Sequence, residues 1–119
     1  MPLLLTRTRP FVADHFHDLP GFQEDRHGHN WEARATLDTG EGDPEEVARR
    51  FEEALDAWIA SVDYTLLNEQ ARLAGRNPTA ELVAQWAFEA LLRAGLAPVD
   101  VRIREKANYW ARCRAEAAS

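Results

Sequence analysis

Residues 27–38 read HGHNWEARATLD, a stretch in which side chains of two kinds alternate. Period-two alternation predicts a half-buried strand, because successive side chains of a strand point to opposite faces of its sheet. One face carries the apolar series from Trp31 to Leu37, and the other carries charged and polar residues. By the same parity His27 and His29 lie on the apolar face.

Another strand is predicted over residues 3–14, and a third histidine, His15, lies at its end. His15 lies twelve residues before His27 and would complete a three-imidazole site if the two strands are neighbours. Three protein ligands with one open position are typical of catalytic zinc. The alternative is that the histidines are solvent-exposed loop residues. The HGH sequence on the apolar parity of a strand favours the metal.

Two groups of polar residues near these histidines have both a structural and a chemical interpretation. Glu24 and Asp25 are solvated loop residues, or one of them is a general base beside the metal. Asp63 and Tyr64 form a turn with a core tyrosine, or they line the same site. His17 is interpreted as a loop residue, with replacement of one ligand as the alternative.

Near the end of the chain, Val99, Val101 and Ile103 alternate with polar residues, and the same parity places Glu105 on the apolar face. A buried carboxylate is costly unless it is paired. Glu105 therefore forms a salt bridge with an arginine, or lies exposed beyond a shorter strand, or anchors a ligand through two parallel hydrogen bonds to a planar N–C–N edge.

Composition limits the class of protein. With 119 residues the chain is expected to form a single domain over 1–119, and its net charge of −6 argues against a nucleic-acid partner. The single cysteine, Cys113, excludes an internal disulfide, suits a cytoplasmic location and is assigned to the core. All four tryptophans are likewise predicted at core spacing. No stretch reaches transmembrane length, so no membrane partner is expected.

Two helices separate the first pair of strands from a second pair. Asp43 followed by Pro44 starts the first helix, Asn77 followed by Pro78 starts the second, and Gly95 ends it. The order strand, strand, helix, helix, strand, strand predicts an α+β fold. Its four-stranded antiparallel sheet carries both helices on one face. The two sheet edges make pairing with other subunits plausible.

The chain resembles the 6-pyruvoyltetrahydropterin synthase and 6-carboxytetrahydropterin synthase family over nearly its whole length. The shared motifs occur in family order: FxAxH at 11–15, HGHNW at 27–31, DxxxLN at 63–68, PTxE at 78–81 with Trp86, and Glu105. The resemblance implies the tunnelling fold (T-fold), in which sheets of several subunits join into a barrel. It also implies a homohexamer of two trimers with active sites between subunits.

The same resemblance implies zinc on His15, His27 and His29. Glu105 is implied to anchor the pterin ring of 7,8-dihydroneopterin triphosphate, with Thr79 as a further substrate contact. The residues that transfer protons depart from the family pattern. No cysteine precedes HGH, Asp63 is followed by Tyr64 instead of histidine, and Lys106 stands where the family has threonine.

A branch of the family that carries glutamate in place of the cysteine resembles an aldolase-like enzyme yielding 6-hydroxymethyl-7,8-dihydropterin. By that likeness Glu24 is the expected base, assisted by Asp63 and Tyr64. The favoured hypothesis is a zinc-dependent pterin lyase with a hydroxymethyl, carboxy or pyruvoyl product. The alternatives are a divergent member with another pterin-like or purine-like substrate, and a non-catalytic pterin-binding protein.

Overall fold

The computed structural model describes residues 3–116, which form strands, two helices and two short 3-10 turns. In chain order these are β1 (Leu4–His15), β2 (Asp18–Leu19), β3 (Phe22–Gln23), β4 (His27–Asp38), α1 (Pro44–Val62), β5 (Thr65–Leu66), the 3-10 turns Leu67–Glu69 and Ala71–Leu73, α2 (Ala80–Arg93), β6 (Pro98–Lys106) and β7 (Tyr109–Arg114). The predicted α+β class and the order of the long elements are confirmed.

The long strands form one antiparallel sheet in which β1, β4, β6 and β7 are successive neighbours. The predicted count of four strands is one too low, because the two-residue β5 adds a parallel edge beside β1. A second small hairpin, β2–β3, lies in the loop between β1 and β4. Strands of two residues carry no detectable periodicity, so a pattern-based interpretation misses them.

Both helices pack on one face of this sheet and enclose the core. Asp43 caps α1 by accepting a hydrogen bond from the Glu45 N–H, and Thr79 caps α2 by accepting one from the Leu82 N–H. The helices bury residues at helical spacing against the alternate residues of β1, β4 and β6. In the centre, Phe11 and Trp31 stack with ring centroids 5.7 Å apart.

The opposite face of the sheet carries charged residues and one tryptophan. Ala111 and Cys113 of β7 belong to the helix-covered side, so Trp110 points the other way and is 42% exposed. The guanidinium carbons of Arg34 and Arg104 lie 5.8 and 5.4 Å from its ring centroid. The prediction that all four tryptophans are core residues is therefore wrong for Trp110.

Cys113 is half-buried, and burial raises the pKa of its thiol, as expected for a packing residue. Between residues 3 and 116, neither helix has the length and apolar character needed to span a membrane.

Candidate metal centre

The pairing of β1 with β4 brings three histidines to one end of the sheet. His15 lies opposite His27 in the antiparallel register, and Ala13 lies opposite His29. One nitrogen of each imidazole falls within 4.8 Å of the others, and the Nε2 atoms of His15 and His27 are 3.0 Å apart. His15 is fully buried, whereas His27 and His29 are partly exposed. The structure thus brings together the three residues that the sequence predicted as metal ligands.

Backbone carbonyls fix the orientation of two of these rings. The Nδ1 of His15 lies 2.9 Å from the Pro78 carbonyl oxygen, and the Nδ1 of His27 lies 2.8 Å from that of Asp25. A carbonyl only accepts hydrogen bonds, so in the neutral imidazole each Nδ1 carries the proton and each Nε2 carries a lone pair. Two lone pairs therefore face each other, which is the arrangement of ligands that share a cation.

The carboxylate of Glu105 also lies beside the converging imidazole nitrogens. Its Oε1 lies 3.0 Å from His15 Nε2 and 3.3 Å from His29 Nε2, and its side chain is 14% exposed. Among the described residues its ion-pair partners are these imidazoles rather than an arginine. These contacts agree with the predicted position of Glu105 on the helix-covered face. The Glu105 carboxylate adds a negative charge to the three imidazoles.

Burial favours the neutral form of two of the three imidazoles. Desolvation lowers the pKa of His15 below its ordinary value of 6.5. Desolvation also lowers the pKa of His29, although the nearby Glu105 carboxylate opposes the shift. Both imidazoles are therefore neutral at pH 7, as ligation requires.

A side-chain clamp holds the backbone directly after His15. The Asn68 amide oxygen accepts a hydrogen bond from the Phe16 N–H, and its amide nitrogen donates one to the Phe16 carbonyl, each over 3.0 Å. Sequence reasoning placed Asn68 in a motif but gave it no role. It also missed the carbonyls of Pro78 and Asp25, which no residue pattern reveals, because any residue type carries a carbonyl.

Glu24 lies at the open side of the cluster. Its Oε1 is 3.7 Å from His27 Nε2 and 3.5 Å from His17 Nδ1. This oxygen is buried and has no hydrogen-bond partner among the described residues. The neighbouring Asp25 is exposed and contributes only its backbone carbonyl. Of the two acidic loop residues, Glu24 is the one whose carboxylate faces the histidines.

Asp63 and Tyr64 bond to the backbone of Val12 and not to the cluster, whereas Thr79 directly follows Pro78, whose carbonyl contacts His15. The Asp63 carboxylate accepts a hydrogen bond from the Val12 N–H, about 10 Å along β1 from His15. Tyr64 has a positive φ of 58° and is 82% exposed, so the alternative of a core tyrosine is wrong. Thr79 caps α2 and is only partly buried. The catalytic and substrate-binding roles of these three residues stay predictions.

Comparison with known proteins identifies the family of the chain. The profile of the 6-pyruvoyl tetrahydropterin synthase family matches residues 4–116. No curated protein has a significantly similar sequence. The fold is similar to that of Caenorhabditis elegans 6-pyruvoyl tetrahydropterin synthase, with a TM-score of 0.78 at 19% identity, covering 98% of this chain and 97% of that one.

Two Plasmodium vivax structures give the same result. The 6-pyruvoyl tetrahydropterin synthase of that organism matches with a TM-score of 0.76 at 13% identity, covering 98% of this chain and 99% of that one. Its catalytic-residue mutant, in which a glutamate is replaced by cysteine, matches equally well, with the same coverage. The fold, the helix-covered sheet and the family profile agree, and the chain belongs to the 6-pyruvoyl tetrahydropterin synthase family, whose members are lyases that act on pterins.

Proposed function

We propose that the protein is a zinc-dependent lyase that converts 7,8-dihydroneopterin triphosphate, or a close analogue, to 6-hydroxymethyl-7,8-dihydropterin. The observation that carries the proposal is the approach of two carboxylates, Glu24 and Glu105, to three imidazoles whose donor nitrogens lie within 4.8 Å. Family membership supports a pterin as the substrate, and these side chains support a metal-assisted cleavage with a carboxylate base.

The residues fit zinc by the chemistry of the donor set. The ring nitrogens of His15, His27 and His29 are the ligand type that zinc prefers, and two of the rings are oriented by carbonyl acceptors. When bound, zinc would act as a Lewis acid toward a hydroxyl oxygen of the substrate side chain. Placing the metal at this cluster leaves Glu24 free to handle protons.

Glu24 is the proposed general base. Its buried Oε1 has no hydrogen-bond partner within the described part of the chain, so it is available to accept a proton. The Plasmodium vivax protein has a glutamate that is named as a catalytic residue, which supports a glutamate base in this chain too. The absence of a cysteine between Gly21 and His27 favours the same assignment.

The proton movements follow from the substrate's chemistry. Glu24 takes the proton of the hydroxyl on the second side-chain carbon, and the bond between the first and second carbons breaks. The electron pair passes into the ring's C=N bond, and the first carbon is then protonated, which leaves a hydroxymethyl group. The other product is glycolaldehyde triphosphate. Glu105 holds the ring through its N–C–N edge, and Thr79 is the proposed further contact.

The site is proposed to be completed by a second subunit in a hexamer of two trimers. The sheet ends in the edge strand β7, where Tyr109 and Trp110 are exposed. An edge strand presents unpaired backbone groups that another sheet can extend. In such an assembly Asp63 and the exposed Tyr64 assist proton transfer in the site of a neighbouring subunit.

The test is to incubate zinc-loaded protein with 7,8-dihydroneopterin triphosphate and to identify the products by mass spectrometry. We expect 6-hydroxymethyl-7,8-dihydropterin, and we expect Glu24→Gln to abolish it while zinc remains bound. Glu41→Gln, in an exposed loop, is the matched control. A carboxy or pyruvoyl product would contradict the proposed bond cleavage. Pterin binding without turnover would favour the non-catalytic alternative.

A further inference from the structure

The carboxylate of Glu105 faces the nitrogens that would bind the metal. Its Oε1 lies 3.0 and 3.3 Å from the Nε2 atoms of His15 and His29. Two ligands of a tetrahedral zinc, with bonds of about 2.0–2.1 Å, are about 3.3–3.4 Å apart. Glu105 therefore stands about one ligand-to-ligand spacing from two of the three imidazoles.

The 3.0 Å approach between Glu105 and His15 occurs where the Nε2 atoms of the other two imidazoles also converge. The Pro78 carbonyl holds the proton of a neutral His15 on Nδ1, so Nε2 presents a lone pair to the carboxylate. A lone pair and a carboxylate repel each other at this distance, and a metal ion shared with the other imidazoles would remove that repulsion. The Nε2 of His27, 3.0 Å from that of His15, faces the same point.

We propose that Glu105 is the fourth zinc ligand in the substrate-free protein and gives up that position when a pterin ring arrives. The second half rests on the proposed function. On exchange, Glu105 would release the metal and its carboxylate would accept two N–H···O hydrogen bonds from the ring. The position that it leaves would then be open to an oxygen of the substrate side chain. Glu105 would thus keep the metal closed to other anions until the correct ring is bound.

Cobalt replaces spectroscopically silent zinc in the test. Absorption spectra of the cobalt-loaded wild type, Glu105→Gln and the control Glu41→Gln are recorded, and each protein is titrated with azide. We expect the spectrum of Glu105→Gln to differ from the other two. Azide must displace Glu105 from the metal of the wild type. The azide affinity of the wild type is therefore reduced in proportion to the fraction of protein whose fourth position is free, about tenfold if Glu105 occupies that position for 90% of the time.

Unsubstituted pterin, which has the ring but no side chain, tests the exchange. We expect saturating pterin to shift the wild-type spectrum to that of Glu105→Gln and to raise the azide affinity. Glu105→Asp replaces Glu105→Gln in the test if the amide variant folds poorly. Its carboxylate is one carbon shorter and does not reach the metal, so we expect the spectrum and azide affinity predicted for Glu105→Gln.

Identical spectra and azide affinities for the wild type and both Glu105 variants would overturn the inference. A wild-type spectrum that stays unchanged with bound pterin would overturn the exchange. A third outcome is that the spectra of the wild type and Glu105→Gln differ but equilibrium dialysis detects no bound pterin. That outcome would support Glu105 as a ligand in the substrate-free protein and would refute the proposed function instead.

Discussion

Replacing Asn68 with alanine removes the clamp on the backbone next to His15. The two 3.0 Å hydrogen bonds to Phe16 contribute about 0.5–1.5 kcal/mol each, so the free energy of unfolding should fall by about 1–3 kcal/mol. Because Phe16 follows a ligand directly, we also expect zinc affinity to fall by about 10–100-fold, as is usual when a group that positions a metal ligand is lost.

Urea unfolding of the metal-free protein measures the first effect, and competition with a chelator measures the second. The matched control is Arg50→Ala. Arg50 also makes two hydrogen bonds to the backbone, donating to the Ala94 and Gly95 carbonyls over 3.1 and 3.4 Å, but at the end of α2 that is remote from Pro78 and the histidines. We expect that control to leave zinc affinity unchanged. Equal losses of zinc affinity in both variants, or none in Asn68→Ala, would refute the reasoning.

Three further predictions concern protons and assembly. The free energy of unfolding of metal-free protein should be greatest above about pH 6.5 and fall as the pH drops toward the lowered pKa values of His15 and His29. The unfolded chain takes up these protons first, and each unit of lowering corresponds to about 1.4 kcal/mol. Urea titrations across this range measure the effect, and a flat profile would contradict it. Glu24→Gln should lower kcat by about 10²–10⁴-fold without loss of bound zinc in metal analysis; loss of both together would indicate a ligand instead of a base. Tyr64→Phe should be impaired alone yet regain activity when reassembled with Glu24→Gln, since each variant supplies what the other lacks; no regain in mixed oligomers would argue against a shared site.

Much of the metal centre could be predicted because it depends on strand parity. The alternation in residues 27–38 placed His27 and His29 on one face, and pairing with β1 placed His15 opposite. Parity also placed Glu105 on the side of the histidines, although Glu105 lies where the register of β6 against β7 shifts, between Arg104 and Lys106. Where pairing is regular, sequence position fixes the direction of a side chain.

Features without a repeating pattern escaped prediction. Strand β5 has two residues and exists because Asp63 and Tyr64 bond to Val12 of the neighbouring strand. Trp110 was misassigned because hydrophobicity alone does not choose between two faces. The structure exposes it on the helix-free side, where the guanidinium groups of Arg34 and Arg104 lie near its ring.

The backbone, rather than neighbouring side chains, orients two of the three imidazoles of the candidate metal centre. His15 and His27 are oriented by the carbonyls of Pro78 and Asp25, and a carbonyl is unaffected by the side chain attached to it. A change of side chain in the loop before HGH therefore leaves the tautomers of His15 and His27 as they are. The proposed base Glu24 can be replaced, and the proposed assistant Tyr64 as well, while the paired strands keep the imidazoles converged. The proposed reaction thus depends on loop residues, whereas the arrangement of the imidazoles depends on the backbone.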